Sequence, residues 1–398
     1  MLKKRSIIAV PTFISLGLMG SFHAFWGTTL PLLRSSLDLN IEQATVLTAY
    51  NLAAQAIACV LGGLLCDLIR RDKILLIGCL LLGSGVFILG EVQSYVANVV
   101  LIFWMGFGCG LMLSSSNALL VGLFSDCKGS ILNIHHSVYG AVSLTSPLVM
   151  AYLLQNEISW QFGYSGLGWL LMAVCIFFLF TRVPTARSNE RTSFLKDAGR
   201  LFNGSNFRSL LLIATFAVGA QIAVMFLAVT YLMEAKGLHI IQASGVLSAF
   251  FVCIFAGRLI CSWLAVRMAT ARIILILLFL QLAGLLVAWQ ATGWISAAAL
   301  AISGLGCSGI FPSLLALTGT LFFEVAGTSL GVLAAMNWIG GMIIVWMAGF
   351  LSQRVSVQFG FVAIVLASLA GVVVHLLKYK TFLHAETEAV IATENVDN

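Results

Sequence analysis

Charged residues are scarce in this chain, and their scarcity excludes an ordinary water-soluble fold. Asp, Glu, Lys and Arg make up 9% of the 398 residues, whereas a soluble domain carries about 25%. Hydrophobic residues make up 60%, and the mean hydropathy is +1.04. Proline is also rare, with 5 residues against 37 glycines, and glycine is more frequent in membrane helices than in soluble ones. The composition therefore predicts an integral membrane protein.

Motifs for chemistry on a bound group are missing as well. The nine cysteines lie mostly inside apolar runs and form neither a CxxC pair nor a metal-ligand spacing, so we interpret them as small hydrophobic residues. The sequence contains no nucleotide-binding P-loop, no haem motif and no nucleophile elbow. We therefore predict that the protein is not an enzyme and binds no metal or cofactor.

Long apolar runs dominate what is present, and a run of about 20 residues is enough to cross a bilayer. Twelve such runs lie near residues 7–33, 43–66, 74–92, 97–124, 130–154, 163–181, 209–233, 241–266, 273–292, 294–322, 327–352 and 356–377. The first run is too long for the apolar part of a signal peptide, and no small-residue cleavage site follows it. We interpret it as a retained first helix.

The basic residues predict the orientation in the membrane. With twelve spans both termini lie on one side, and nearly all Lys and Arg fall in the loops of that side. The opposite side holds only Arg34, Lys236 and Arg354, and Arg258 alone lies inside a span. By the positive-inside rule both termini are cytoplasmic. The net charge of +6 is then a topology signal, and no nucleic-acid partner is implied.

Two halves of six helices each are predicted by the longest polar insert, residues 183–207. They comprise residues 1–182 and 208–380, and a polar, disordered cytoplasmic tail is expected over 381–398. Within the insert, residues 194–202 predict a short amphipathic helix on the membrane surface. The halves echo each other, because GFGCG at 106–110 recurs as GLGCS at 304–308. Internal duplication is typical of secondary transporters, and the predicted fold is an all-α integral membrane protein of two pseudo-symmetric six-helix bundles.

The turn after the second span, residues 62–73, resembles the signature loop of the major facilitator superfamily. Gly63, Asp67 and Arg71 hold the glycine, the aspartate and one basic position of that loop, whereas Leu68 and Asp72 stand where basic residues are usual. Gly63 is expected to let a helix of the other half approach closely. Asp67 is expected to face a helix N-terminus or an arginine across the contact between the halves.

A second resemblance covers the fourth and fifth spans. GFGCG followed by Asn117, Asn133, His136, Gly140 and Pro147 is similar to the fucose/glucose–proton symporter-like branch of the superfamily, as are Gly257-Arg258 and residues 309–317. The resemblance implies alternating access, with spans 1, 4, 7 and 10 around a cavity and spans 2, 5, 8 and 11 where the halves meet. It also implies membrane-embedded carboxylates for proton coupling. Here no Asp or Glu lies in the middle of a span, and Gly27 stands where the first-span acid is expected.

Polar residues inside the spans supply the candidate site. The proposed substrate-binding residues are His23, Trp26, Asn51, Gln55, Asn117, Gln221, Asn337 and Trp338. The candidates for proton coupling are His23, His136 and Glu234, and the candidates for gating or structural roles are Gly63, Asp67, Arg71, Gly140, Pro147 and Arg258. Either histidine also fits a packing role, and Asn117 and Asn133 fit interhelical hydrogen bonds equally well. Helical spacing assigns His135 to the face opposite His136.

These features predict a secondary transporter of a small, polar, uncharged organic solute such as a sugar, with protons as a candidate second partner. Proton-driven export of a drug-like or metallophore-like compound is the alternative. A transport-inactive sensor or a membrane enzyme is a third class, which no catalytic cluster supports. We expect a monomer surrounded by lipid in a bacterial inner membrane.

Overall fold

A computed structural model describes residues 2–124, 128–180, 201–202, 204–322 and 325–397. The side chains of residues 2–6, 67, 128–130, 133, 326–328 and 389–397 lie outside the description. The predicted roles of Asp67 and Asn133 therefore fall outside the described residues and stay predictions. Twelve membrane-length helical segments run through the described part of the chain. The first half comprises α1 Leu2–Ser36, α2 Ile41–Leu68, α3 Arg71–Ile88, α4 Tyr95–Leu123, α5 Lys128–Gln155 and α6 Trp160–Phe180.

The second half repeats this number of helices, with two of them interrupted. Its α7 consists of Ser205–Ile213, a π-helical turn Ala214–Val218 and Gly219–Glu234. The others are α8 Ile240–Ala265, α9 Thr270–Gln290, α10 in two pieces (Gly293–Cys307 and Ile310–Leu321), α11 Ala326–Arg354 and α12 Val357–Asp397. Within the described residues, eleven of the twelve are long and apolar enough to cross a membrane by length and composition. The remaining one, α3, has 18 residues and begins with three charged ones, and its length of about 27 Å is close to the thickness of a bilayer core. The predicted twelve-helix architecture is confirmed.

Glycines explain the tight packing of α4 and its repeat, α10. A Cβ at Gly106 of α4 would overlap the Asn51 carbonyl of α2, and a Cβ at Gly304 of α10 would overlap the Phe250 carbonyl of α8. Small residues let membrane helices approach to backbone contact. Because the two glycines are 198 residues apart and their partners 199, the sequence echo corresponds to the same helix crossing in both halves.

The C-terminal segment differs from the expectation. The polar residues after Lys380 continue α12 as far as Asp397 instead of forming a disordered tail. The Phe382 side chain is fully buried, and the Glu386 carboxylate accepts hydrogen bonds from the backbone amides of Thr270 and Ala271 at 2.7 and 3.1 Å. These amides begin α9 and have no partner within their own helix, so an acceptor there is favourable. Contacts of this kind hold the extension in helical form.

The linker is partly outside the description, because residues 181–200 and 203 are not described. The predicted amphipathic helix at 194–202 therefore lies almost wholly outside the described residues. The second half begins slightly earlier than the sequence indicated, since α7 starts at Ser205. The division of the chain into 1–182, 183–207, 208–380 and 381–398 otherwise stays a prediction.

The two halves meet along a surface that we call the seam, where α1 packs on α7, α2 on α11 and α5 on α8. We call the end of the bundle that carries both termini the terminus end, and the other the distal end. At the distal end two ion pairs join the halves. Arg34 of α1 pairs with Glu234 of α7, and Arg354 of α11 pairs with Glu42 of α2 at 3.0 Å.

The seam between α2 and α11 is closed at the distal end and open at the terminus end. A Cβ at Gly349 of α11 would overlap the Thr45 side chain of α2. Eighteen residues, or five turns, separate Thr45 from Gly63 and also separate Gly349 from Gly331, so all four lie on the facing sides of the two helices. A Cβ at Gly63 or at Gly331 would meet nothing within 4 Å. The close approach predicted at Gly63 is thus absent, because the helices diverge toward this end.

Candidate functional site

His23 lies at the centre of a polar and aromatic cluster on the seam. Its side chain is fully buried, and its Nδ1 lies 2.9 Å from the Tyr139 hydroxyl of α5. The ring centroids of Phe226 on α7 and Trp338 on α11 each lie 5.6 Å from that of His23. Four helices, two from each half, therefore surround one imidazole.

Two amides on α2 line one side of this cluster. Asn51 Nδ2 donates to the Ile102 carbonyl of α4 at 3.0 Å, and Gln55 Nε2 donates to Asn51 Oδ1 at 2.7 Å. Asn51 thus holds α2 against α4, as the interpretation of such residues as interhelical bonds requires. Gln55 lies one turn further along α2, so the two amides form a hydrogen-bonded chain that starts at α4 and runs along α2.

The Trp26 indole is satisfied by the protein itself. Its Nε1 donates to the Thr48 hydroxyl of α2 at 2.9 Å, and the side chain is 2% exposed. A buried indole N–H generally requires such a partner. Trp26 therefore contributes an apolar ring face to the region, while its N–H holds α1 against α2.

Three predicted substrate residues on three helices carry a buried polar atom with no partner in the described part of the chain. These atoms are Nε2 of His23, Oε1 of Gln221 and Oδ1 of Asn337. A Cβ at Gly27 would overlap the Met225 carbonyl, so α1 and α7 touch at this level. His23 and Gln221 each lie one turn earlier on these contacting faces. Buried polar atoms are nearly always paired, so unpaired ones on three helices that meet at the seam indicate a position for a polar solute or for water.

Tyr139 is a site residue that the sequence analysis missed. Besides contacting His23, its hydroxyl lies 3.9 Å from Met225 Sδ of α7, and a Cβ at Gly20 of α1 would lie 2.8 Å from the Tyr139 carbonyl. The glycine brings α1 and α5 together and so brings the phenol to the imidazole. The helical spacing of three from His136 was the available signal.

His135, and not His136, is the partner of Asn117. His135 is fully buried within the first half, with Nδ1 3.1 Å from Asn117 Oδ1 and Nε2 3.3 Å from the Thr12 carbonyl. Asn117 therefore makes an interhelical bond between α4 and α5 away from the His23 cluster. The sequence analysis discounted the face of His135, and that face carries the hydrogen bonds.

Arg258 crosses the seam from α8, and a proline explains one of its bonds. In an uninterrupted helix the amide of residue 312 would bond to the Ser308 carbonyl, but Pro312 has no N–H. Arg258 Nε donates to that carbonyl at 3.4 Å, and its Nη1 donates to the His136 carbonyl of α5 at 3.3 Å. Gly140 lies beside the guanidinium, since a Cβ there would be in ordinary contact with Nη1 at 3.5 Å. Arg258 thus links α10 and α5 across the halves.

Two other candidates do not lie in the cluster. Glu234 sits at the distal end in its ion pair with Arg34. Pro147 is buried inside the continuous helix α5, next to Ser146, whose hydroxyl donates to the Ser21 hydroxyl of α1 at 3.0 Å. Neither residue reaches His23, so their roles concern the distal seam and the packing of α1 against α5.

The turn between α2 and α3 is held within its own half. Arg71 Nη1 donates to the Ala118 carbonyl of α4 at 2.8 Å, while Arg70 pairs with the buried Asp72 at 2.9 Å. The hydrogen bonds that Arg70 donates to the Asp72 carboxylate raise the pKa of Arg70. Arg71 therefore has a structural role, and its predicted part in gating stays a prediction.

A π-helical turn in α7 is stabilised by a residue that the sequence analysis did not select. A π-turn frees carbonyls that a regular helix would satisfy, and such turns are frequent at functional sites. Gln281 of α9 is fully buried and its Nε2 donates to the Ala217 carbonyl in this turn at 2.9 Å. A Cβ at Gly340 of α11 would overlap the Thr215 carbonyl, so the irregular turn lies against the helix that carries Asn337.

Comparisons with known proteins agree with this architecture. A model of the family described as Major Facilitator Superfamily matches residues 12–227. The uncharacterized protein Cj0987c of Campylobacter jejuni is 25% identical over 189 residues, which cover 46% of this chain and 59% of that protein's length.

Solved structures share the fold at lower identity. A mutant of the nucleoside transporter NupG superposes with a TM-score of 0.77 at 14% identity, covering 95% of this chain and 99% of that one. The E. coli fucose:proton symporter FucP superposes with a TM-score of 0.62 at 18% identity, covering 92% and 99%. Because the family model matches more than half of the residues, the chain belongs to the Major Facilitator Superfamily.

Proposed function

We propose that the protein is a secondary transporter that moves a small polar organic solute across the membrane by alternating access. The observation that carries this proposal is the cluster of unpartnered, buried polar atoms on His23, Gln221 and Asn337. The cluster lies on the seam, where both halves contribute, and transporters of duplicated architecture bind their substrates at that position.

Alternating access would follow from the asymmetry of the seam. In the present conformation the distal end is held by the ion pairs Arg34–Glu234 and Arg354–Glu42, and the terminus end between α2 and α11 is open. Rocking the halves about the cluster would break these pairs and bring Gly63 toward Gly331. The solute would then exchange with the opposite side without a continuous pore.

The side chains of the cluster favour a solute with several hydrogen-bonding groups. The imidazole of His23 and the amides of Gln221 and Asn337 can fix its orientation, and the rings of Phe226 and Trp338 can cover its apolar faces. Sugars and nucleosides have this character. Proton coupling would use His23, because its imidazole is the candidate side chain at the centre of the cluster.

We further propose that the protein acts as a monomer in the inner membrane of a bacterium, with both termini in the cytoplasm. The placement of the basic residues supports this orientation, and the relative Cj0987c is bacterial. In that orientation the present conformation is open toward the cytoplasm.

Uptake into proteoliposomes tests the proposal. The purified protein would be reconstituted with and without an imposed pH gradient and offered labelled hexoses, pentoses, nucleosides and sugar acids. We expect saturable uptake of at least one of these classes, dependent on the gradient, and a loss of that dependence in His23→Ala. His384→Ala is the matched control, since His384 lies in the C-terminal extension and pairs with Glu388 at 3.2 Å.

Two results would contradict the proposal. If polar solutes are not taken up and hydrophobic cations or chelators are extruded instead, the protein is an exporter of apolar compounds. If gradient-dependent uptake is unchanged in both His23→Ala and His136→Ala, neither histidine carries the proton.

A further inference from the structure

The structure assigns to Arg258 a role in binding an organic anion. We infer that the solute carries a carboxylate or phosphate group, and that this group takes the place of the acidic residues that the bundle lacks. The inference rests on the proposed transport function and specifies the chemical class of the solute.

The charges of the helices are unbalanced around Arg258. In the described part of the chain, every Asp and Glu lies in a turn, in the first or last turn of a helix or in the C-terminal extension of α12. Arg258 lies seven residues before the end of α8, about 10 Å inside the helix, and it has no ion-pair partner among the described side chains. A charged residue at such a depth generally faces a partner, a water-filled cavity or a ligand.

The position of Arg258 on α8 directs it toward the seam and away from lipid. It shares a helical face with Phe251, Ile254 and Cys261, all of which are at most 9% exposed. The lipid-facing residues of the same stretch, such as Leu259 at 61% exposure, lie on another face. The uncompensated charge is therefore presented to the space between the halves.

The hydrogen bonds of the guanidinium leave donors available. Of its five N–H groups, one on Nε and one on Nη1 donate to backbone carbonyls, at 3.4 and 3.3 Å. The others have no partner in the described part of the chain. Both existing bonds are long and run to neutral acceptors, whereas a guanidinium binds a carboxylate or phosphate through two short parallel bonds. The two carbonyls hold the side chain in place, and the free N–H groups suit an anion.

The anion position is continuous with the His23 cluster. Arg258 lies against Gly140, and the preceding residue, Tyr139, carries the hydroxyl that contacts His23. His23 and Arg258 therefore lie against consecutive residues of α5, Tyr139 and Gly140. A solute with an acidic group at one end and hydroxyls at the other would contact Arg258, Tyr139 and His23 together.

Ligand-induced stabilisation of the purified full chain tests the inference with matched neutral and acidic probes. The pairs are glucose with gluconate, galactose with galacturonate, and glucose with glucose 6-phosphate. We expect at least one acidic member to raise the melting temperature at concentrations where its neutral partner does not. In Arg258→Gln the Kd for that acid should rise about 30-fold or more, because a desolvated charge pair is lost. Arg258→Lys keeps the charge without the planar fork and should give a smaller rise, about tenfold.

A control variant and the possible outcomes distinguish the anion inference from the transport proposal. Arg267→Gln removes one positive charge from the exposed end of the same helix region, where Arg267 bonds the Trp263 carbonyl, and should leave the response to the acid unchanged. If only neutral solutes bind, or if Arg258→Gln binds the acid as the wild type does, the anion inference is wrong while the transport proposal stands. If no probe binds and none is transported, the transport proposal fails as well. Unliganded melting temperatures of the Gln and Lys variants distinguish lost binding from lost folding.

Discussion

Replacing Gly349 by alanine should drive the protein away from the conformation described above. The added Cβ would lie 2.5 Å from the Thr45 Cβ and 2.9 Å from its Cγ2, closer than real Cβ atoms approach. Thr45 is buried and β-branched, so it cannot rotate out of the way easily. Overpacking of this kind costs about 1–3 kcal/mol, which corresponds to a shift of about 5- to 150-fold in the ratio of two conformations.

A matched variant on the same helix face should do the opposite. Gly331→Ala introduces a Cβ that meets nothing within 4 Å here, so it costs nothing in packing in this conformation. When the terminus end closes and α11 approaches Gly63, the same methyl group would be in the way. Gly331→Ala should therefore keep the distal end closed, while Gly349→Ala opens it.

Hydrogen exchange measured by mass spectrometry on the unlabelled protein distinguishes the two variants. In Gly349→Ala we expect faster exchange over residues 41–50 and 345–354 at the distal end, and slower exchange near residues 58–68. In Gly331→Ala the distal segments should stay as protected as in the wild type. Identical exchange patterns in the two variants, or a loss of distal protection in Gly331→Ala alone, would refute the assignment of the closed and open ends.

Three further predictions concern single hydrogen bonds. Tyr139→Phe removes the hydroxyl that contacts His23 and should lower proteoliposome uptake strongly. The melting temperature should change little, because one neutral hydrogen bond contributes about 1 kcal/mol. Uptake equal to that of the wild type would show that Tyr139 is not part of the site. Gln281→Leu leaves the Ala217 carbonyl of the π-turn without its partner and should cost about 1–3 kcal/mol of stability. The cost is measured as a lower melting temperature in detergent. An unchanged melting temperature would mean that the turn relaxes to a regular helix. Glu386→Gln weakens the acceptor at the start of α9 and should lower the stability by about 0.5–2 kcal/mol. Amide exchange should become faster only over residues 270–275. Unchanged exchange there would show that the C-terminal extension does not hold this helix end.

The general architecture follows from the sequence because lipid simplifies the problem. Apolar length fixes the number of helices, and the placement of basic residues predicts their direction. The echo between Gly106 and Gly304 predicts an equivalent crossing in each half, and both glycines do contact backbone of the equivalent helix. Each of these signals is local or periodic, so it can be recognised in the sequence without knowledge of tertiary contacts.

The candidate site was predicted less completely, because a partner on another helix cannot be read from spacing. Helix periodicity separated His135 from His136 by face, yet it could not indicate that the face toward Asn117 carries the hydrogen bonds. Tyr139 was passed over because its signal, the helical spacing of three from His136, indicates no partner on another helix. Its importance arises from Gly20, whose missing side chain lets α1 approach α5.

Conformation is a further property that sequence patterns do not carry. Gly63 was expected to permit a close helix approach, and the same small residue is compatible with the open gap observed there. A glycine permits contact without enforcing it, so one position serves both arrangements of the seam. The pair at Thr45 and Gly349, five turns away on the same faces, is in contact when the pair at Gly63 and Gly331 is apart. Two such pairs on two straight helices are what a rocking motion requires, since closing one end opens the other.

Arg258 joins this motion to the binding of a solute. Its bonds to the Ser308 and His136 carbonyls span the two halves, and at 3.3–3.4 Å they are long compared with charge-assisted bonds. An anion would compete for the same guanidinium and form shorter bonds than either carbonyl does. Binding would therefore weaken a link between α5 and α8 while adding a new contact at the cluster. A solute can shift a conformational equilibrium only by its differential interaction with the two states, and this exchange of partners at one arginine supplies such a difference.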